Sequence, residues 1–284
     1  MAEKIQSTLL EKFKLHDQVA VITGGGGLLG RQHGDTVADL GGIPILLDLD
    51  GQRAEAAAEE LLSKYPLCRA VGLACDITSP EVVEATLAAV MERFSRVDIL
   101  INNAANNPKV EGGGLLGQQC SRLENFPLSV WDQDIAVGLT GAFLCARTFG
   151  AQMAKQGGGV ILNISSDLGL ISPDQRLYRR DGLPENQQPV KPVTYSVIKS
   201  GLLGLTRYLA TYWADSGVRS NALLPGGVQT DQDQDFIKRL SALIPMGRMA
   251  REDEYKAAVA FLVSDASSYM TGAIISMDGG RTCW

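Results

Sequence analysis

Short apolar runs rich in valine, isoleucine and leucine recur along this chain, and helical patterns fall between them. The runs predict strands at Val19–Thr23, Pro44–Leu49, Ala70–Cys75, Val97–Asn102, Val160–Ser165, Arg219–Leu224 and Ala273–Met277. Several are almost continuously apolar, as expected of strands covered on both faces. Helices are predicted at Leu29–Leu40, Gln52–Lys64, Pro80–Phe94, Leu128–Lys155, Val193–Asp215 and Glu252–Ser264. Alternating strand and helix implies a parallel sheet wrapped by helices. No internal repeat or low-complexity linker breaks the alternation, so one domain is expected over residues 1–284.

Three stretches depart from the rhythm. Asn106–Pro127 holds Gly112-Gly113-Gly114 and few regular signals, and Ser172–Pro192 mixes prolines with charges. Gln229–Ile244 is polar at first, then weakly helical, and is a candidate lid. Loops of this length in a compact domain tend to carry function.

Composition narrows the classes. A hydrophobic share of 45% supports a sizeable core, and a net charge of −6 argues against a nucleic-acid partner. No run approaches the ~18 apolar residues of a membrane span. The N-terminal Met1–Lys14 lacks the apolar core of a signal peptide, so a cytoplasmic protein is expected. Cys68, Cys75, Cys120, Cys145 and Cys283 show no CxxC spacing, which predicts neither disulfides nor zinc. His16 and His33 are the only histidines, which removes a His-rich metal centre and a Ser-His-Asp triad. No metal site is expected. His33 could act as a lone base, but its place on a predicted helix favours packing.

The first strand runs into Gly24-Gly25-Gly26-Gly27-Leu28-Leu29-Gly30, and a helix follows at once. Glycines let backbone approach a pyrophosphate, and the helix N-terminus offers free N–H groups and a favourable dipole. Gly24, Gly26, Leu28, Leu29 and Gly30 are therefore candidate cofactor contacts, against the plainer reading of a flexible turn. Asp48 ends the second strand, where a carboxylate can accept from both adenosine ribose hydroxyls and repel a 2′-phosphate. No lysine or arginine lies within Gly24–Gly30 or directly after Asp48, so NAD is expected rather than NADP. Asp50 is a rival for the same role. Asp76, followed by Ile77, could meet the adenine or cap the next helix.

Tyr195-Ser196-Val197-Ile198-Lys199 opens a helical stretch. Residues four apart share a helix face, so phenol and ammonium can lie side by side. A free tyrosine, with pKa ~10, exchanges protons poorly at neutral pH. A nearby cation favours the phenolate and suits the pair to acid/base work. The YxxxK spacing alone is common by chance.

Six motifs occur in order: Thr23-Gly24 with its glycine run, Asn102-Asn103-Ala104-Ala105, Asn163-Ile164-Ser165-Ser166, Tyr195 with Lys199, Pro225-Gly226-Gly227 with Thr230, and Asp278-Gly279-Gly280. This set resembles the short-chain dehydrogenase/reductase family over roughly Leu15 to Gly280. The resemblance implies an α/β, Rossmann-like, doubly wound fold with a seven-stranded parallel sheet and helices on both faces. It implies Tyr195 as general acid/base, Lys199 as the group that holds the nicotinamide ribose and tunes Tyr195, and Ser166 as the partner of the substrate oxygen. Ser166 is preferred to Ser165 because Gly169 follows it in the family register. Asn103 and Ala104 would line the adenosine side, and Pro225, Val228 and Thr230 would orient the carboxamide and diphosphate. Plainer structural roles stand beside these: a strand-end cap for Asn103, a turn for Pro225-Gly226. A homodimer or homotetramer is also implied, with Leu128–Lys155 and Val193–Asp215 as its interface.

The chain departs from the family pattern in three places. Leu28 stands where the Thr-Gly motif usually has a glycine, which favours Gly24 and Gly30 over Gly27 as phosphate contacts. Gly138 replaces the asparagine that supports a proton-relay water behind the lysine. A water or neighbouring polar group is expected to substitute, and Gly138→Ala to be tolerated; the contrary reading is a damaged relay. Ser166 and Tyr195 are 29 positions apart, well beyond the usual spacing, because of an insertion near 172–192. It carries Arg176, Arg179, Arg180 and Lys191, and its flanks place it over the substrate mouth; a solvated or oligomer-contact insertion is the alternative. Arginine clusters suit carboxylate or phosphate groups. A small polar substrate is expected, namely a sugar, sugar acid or nucleotide-linked sugar oxidised or reduced at a secondary alcohol or ketone. A 3-oxoacyl thioester reductase and a non-catalytic dinucleotide-binding regulator are the alternatives.

Overall fold

In the computed structural model, residues 8–106 and 121–284 are described; the Gly112–Gly114 run and Cys120 lie outside them. The strands are β1 (Val19–Thr23), β2 (Ile43–Asp48), β3 (Val71–Ala74), β4 (Ile99–Asn102), β5 (Gly159–Ile164), β6 (Val218–Pro225) and β7 (Ile274–Met277). They hydrogen-bond in the order β3-β2-β1-β4-β5-β6-β7, every pair parallel. The fold is the doubly wound, Rossmann-like α/β architecture expected from the alternation.

Side-chain alternation divides the core between the two faces of the sheet. Ala20, Ile22, Leu46, Ile99, Ile101 and Leu162 belong to one cluster. Val37 of α1 (Leu28–Asp39), Leu61 of α2 (Gly51–Lys64) and Leu262 of α7 (Lys256–Val263) cover them. Val19, Val21, Ile45, Leu47, Leu100 and Ile161 belong to the other. They meet Val90 of α3 (Pro80–Phe94), Phe149 and Met153 of α4 (residues 128–155) and Leu209 of α5 (Val193–Tyr212). The central strands are buried at every position, which explains their continuous apolar runs.

Capping residues fix several helix starts. The Asp50 carboxylate accepts from Gln52 N and Arg53 N at the head of α2, and Ser79 accepts from Val82 N at the head of α3 beside Pro80. α4 is one long helix interrupted by π-type turns at Ala136–Thr140 and Ala146–Gly150. The expected Glu252 start of the last helix is instead a turn, because Glu254 is committed to Arg248 and to the Arg251 N–H. The candidate lid contains a short helix, α6 (Gln234–Ser241). The insertion folds as two single turns, Gln175–Tyr178 and Glu185–Gln187.

The strand order reverses between β1 and β4, so the loops after their C-terminal ends part there and leave a crevice. Every motif singled out in the sequence, Asp278-Gly279-Gly280 after β7 included, follows a strand end or opens a helix on that edge.

Candidate active site

The glycine turn shows why glycines stand there. Gly24 has φ +63°, a left-handed conformation that costs glycine nothing. A Cβ on Gly30 would lie 2.1 Å from the Gly24 carbonyl oxygen, so α1 can pack on the turn only with glycine at that position. No side chain caps α1 at Gly27, which leaves its first N–H groups facing the crevice. These features fit the phosphates of a dinucleotide.

The crevice has two chambers that share Leu28, Leu29, Asn103 and Ala105. The first, of about 390 Å³, is lined by Asp48, Asp76 and Ile77. The Asp48 carboxylate accepts from Gly26 N at 3.1 Å and from Asp50 N at 3.2 Å while remaining partly open to solvent. Asp50, the rival, is occupied as the cap of α2. Asp76 accepts from Thr78 N and Thr78 Oγ1, and the α3 cap is Ser79 rather than Asp76. Arg53 reaches the same chamber and donates to the Gly26 carbonyl at 3.2 Å. Its approach from inside α2 is invisible in the linear sequence around Asp48. Asn103 Nδ2 donates to the carbonyls of Thr23 and Gly24, so its side chain braces the glycine turn while the residue lines both chambers.

The second chamber, of about 380 Å³, brings Ser166, Tyr195 and Lys199 together with Pro225, Val228 and Thr230. Lys199 is buried and donates from Nζ to the Ile164 carbonyl at 2.9 Å. Its Nζ lies 5.7 Å from the centre of the Tyr195 ring. Burial pushes Lys199 down to about 8, with Lys191 adding to the fall. Burial also pushes the Tyr195 phenol up, against a lowering by its hydrogen bond with Ser166; Asp167 raises it further and Arg281 lowers it. Near neutrality the resting pair is therefore a phenol beside a protonated amine.

Beneath the pair lies a buried polar ladder. Asn102 Nδ2 donates to Asn163 Oδ1 at 2.9 Å, and Asn163 Nδ2 donates to Thr206 Oγ1 at 2.9 Å. Asn102 and Asn163 are register partners on β4 and β5, so the ladder ties both strands to α5. Thr194 donates to Asp134 Oδ2 at 2.6 Å and fixes the head of α5 against α4.

Sequence reasoning missed two members of this chamber, Asp167 and Arg281, and did not single out a third, Lys191. Asp167 accepts from Ser166 Oγ at 2.7 Å and from Arg281 Nη1 at 2.6 Å, in a pair buried almost completely. Arg281 comes from the chain's last turn, and only the fold brings it to Asp167. Lys191, seen as one charge among several, lies over the Tyr195 ring at 3.9 Å from its centre. By contrast, Arg176 pairs with Asp174 and Arg179 with Glu185, both exposed within the insertion. The insertion does form a wall of the chamber, through Tyr178 and Lys191.

Gly138 is buried, and a Cβ there would lie 2.7 Å from Ile198 Cγ2. The space expected to take a substitute polar group is filled by the residue just before Lys199. His33 is fully buried behind the glycine turn, lines neither chamber, and is pushed down to about 4 by burial.

Residues 18–178 match the family model described as short chain dehydrogenase, and residues 185–282 match one described as enoyl-(acyl carrier protein) reductase. The chain belongs to the short-chain dehydrogenase family. It is 32% identical over 275 residues to D-threitol dehydrogenase of Mycolicibacterium smegmatis, covering 95% of each chain. It is 30% identical over 273 residues to the 3-oxoacyl-[acyl-carrier-protein] reductase FabG of Aquifex aeolicus, covering 95% of this chain and 99% of that one. A crystal structure of NAD+-bound xylitol dehydrogenase superposes with a TM-score of 0.80 at 25% identity, covering 94% of this chain and all of that one. This short-chain dehydrogenase is thus an oxidoreductase of alcohol groups that uses a nicotinamide cofactor and a small-molecule substrate. Among the described residues no helix is long and apolar enough to cross a membrane.

Proposed function

We propose that this enzyme oxidises a secondary alcohol of a polyol or sugar-type substrate to the ketone with NAD, and runs the reverse reduction. The observation that carries this reading is the convergence of Tyr195, Lys199 and Ser166 in the chamber that adjoins the glycine turn. In oxidation, Tyr195 takes the hydroxyl proton of the substrate through its phenol oxygen. The charge of Lys199 favours the phenolate that must form first. Ser166 and Tyr195 hold the substrate oxygen by hydrogen bonds that strengthen as charge develops on it. The bound nicotinamide supplies the hydride acceptor or donor at its C4. Gly24, Leu28 and Leu29 would cradle the diphosphate, while Gly26 and Gly30, buried and lining neither chamber, would shape the turn that holds it; Asp76, Ile77, Asn103 and Ala104 would lie beside the adenosine. Pro225, Val228 and Thr230 would border the nicotinamide.

Two things support a polyol over an acyl thioester: the relationship to threitol and xylitol dehydrogenases, and a wall that carries Lys191 and a tyrosine. FabG-type reduction is the competing reading at similar identity. Asp48 supports NAD, because a carboxylate at the end of β2 in the first chamber would repel a 2′-phosphate. Arg53 is near enough to make the comparison with NADP a real test. The experiment is the absorbance change of NAD(H) and NADP(H) against polyols, sugar acids and 3-oxoacyl thioesters, in wild type and Tyr195→Phe. Turnover of a polyol with NAD, reduced at least ~10²-fold in Tyr195→Phe as expected on loss of an acid/base group, is the predicted outcome. Preferred turnover of a thioester, or of NADP, would sink the corresponding half of the proposal.

A further inference from the structure

The insertion before α5 ends by delivering a lysine to the face of Tyr195. Lys191 Nζ lies 3.9 Å from the ring centre, nearer than Lys199 Nζ at 5.7 Å. Its backbone is held, because Lys191 N donates to Gln175 Oε1 at 2.8 Å and Pro192 follows as the cap residue of α5. The two lysines come from different elements and approach one ring. The other charged groups facing Tyr195 are Asp167 and Arg281, which pair with each other at 2.6 Å and act on the phenol in opposite directions, Asp167 raising its pKa and Arg281 lowering it. Asp134 of α4, against the head of α5, accepts from Thr194 and Asn106.

We propose that Lys191 is a second cation that tunes Tyr195, a positioning residue that makes the phenol readier to release its proton. This rests on the reading of Tyr195 as the acid/base group. A cation over an aromatic face is attracted by the ring quadrupole. It is attracted far more strongly once the ring carries the negative charge of a phenolate, and that difference is the tuning. In a partly enclosed chamber the effect is screened by salt less than it would be on an open surface. Lys191 also adds positive charge near Lys199, which favours release of a proton from the whole pair. The insertion that lengthens the Ser166–Tyr195 interval thereby supplies a charge to the chemistry as well as a wall to the chamber.

The test is a pH titration read in two ways on wild type, Lys191→Met, Lys191→Arg and Tyr195→Phe. The first reading is tyrosinate ultraviolet absorbance of the cofactor-free protein, with the Tyr195→Phe trace subtracted to isolate Tyr195. The second is the pH profile of kcat/KM for alcohol oxidation. In Lys191→Met the Tyr195 ionisation and the acid limb should both move up by about one pH unit, roughly tenfold in kcat/KM on the acid side. Lys191→Arg should restore most of the shift. An unmoved titration in Lys191→Met, with only KM raised, would overturn the proposal and make Lys191 a substrate contact, while leaving a dead Tyr195→Phe as support for the acid/base reading. Turnover that survives in Tyr195→Phe would overturn that reading and the proposal with it.

Discussion

At position 138 the absence of a side chain is matched by the presence of a large one opposite. Ile198 fills the volume that any Cβ on Gly138 would need, with its Cγ2 2.7 Å and its Cδ1 3.0 Å from that point. Ile198 is β-branched and sits in a helix, so its Cγ2 has little freedom to turn away. Helix propensity favours Gly138→Ala by about 1 kcal/mol, whereas overpacking costs about 1–3 kcal/mol. The net expectation is a loss, which corrects the view from sequence that Gly138→Ala would be tolerated. The conflict also lies one residue from Lys199, so any shift of Ile198 disturbs the amine. Gly138→Asn should lower stability and turnover when made singly, and its added cost should be smaller in an Ile198→Ala background, which itself loses stability as a buried side chain is removed. Urea midpoints of the two single variants and the double variant measure this, with a coupling of about 0.5–3 kcal/mol expected for residues in direct contact. Strictly additive losses would mean that the two positions are independent.

Among the elements, those legible in the sequence owe their form to burial. β1 and α3 begin and end where the apolar pattern and the capping residues place them, and the other strands differ by one or two positions because their end residues pair with a neighbour or turn away. The site was legible where it rests on local spacing, as in Tyr195 with Lys199 or the glycine turn before α1. It was not legible where contacts join distant segments: Asp167 meets Arg281 from 114 positions away, and no local pattern announces that. The insertion is the intermediate case. Its flanks placed it at the chamber, but its charged residues masked the apolar contacts that hold it. Leu177 and Tyr178 pack with Phe236 and Leu240 of α6, with the Tyr178 and Phe236 rings 5.7 Å apart. Insertion and α6 are therefore latched to each other across the chamber. An aromatic pair contributes about 0.5–1.5 kcal/mol beyond area burial, enough to change local opening by about tenfold. Tyr178→Ala, which removes the side chain's burial as well as the ring pair, should raise the rate of tryptic cleavage after Arg176, Arg179 and Arg180 by at least that factor. Cleavage at the wild-type rate would show that the segment is held by other contacts.

At the scale of the whole molecule, the first and last parts of the chain are joined by one buried carboxylate. Asp35 of α1 is 8% exposed. It accepts from Lys64 Nζ at 2.6 Å, from the Tyr65 hydroxyl at 3.1 Å and from Lys256 Nζ at the head of α7. Three helices over one face of the sheet thus share a single charge cluster, directly behind the glycine turn. Burial would raise the Asp35 pKa, but the hydrogen bonds from Lys256 and Lys64 outweigh it and hold the carboxyl below its usual range. A carboxyl whose folded pKa is depressed contributes stability above its unfolded value of about 3.9 and loses that contribution as pH falls through the folded value. Both lysines keep part of their length in water, at 58% and 27% exposure. Removing the charge therefore strands them less severely than a fully buried pair, and a cost of about 1–2 kcal/mol is expected, between the surface and buried cases. Asp35→Asn should accordingly unfold at lower urea than wild type at pH 7, and the gap should close as the solution is acidified below about pH 4. A gap that stays constant across this range would assign the loss to altered packing among the three helices instead of to the charge.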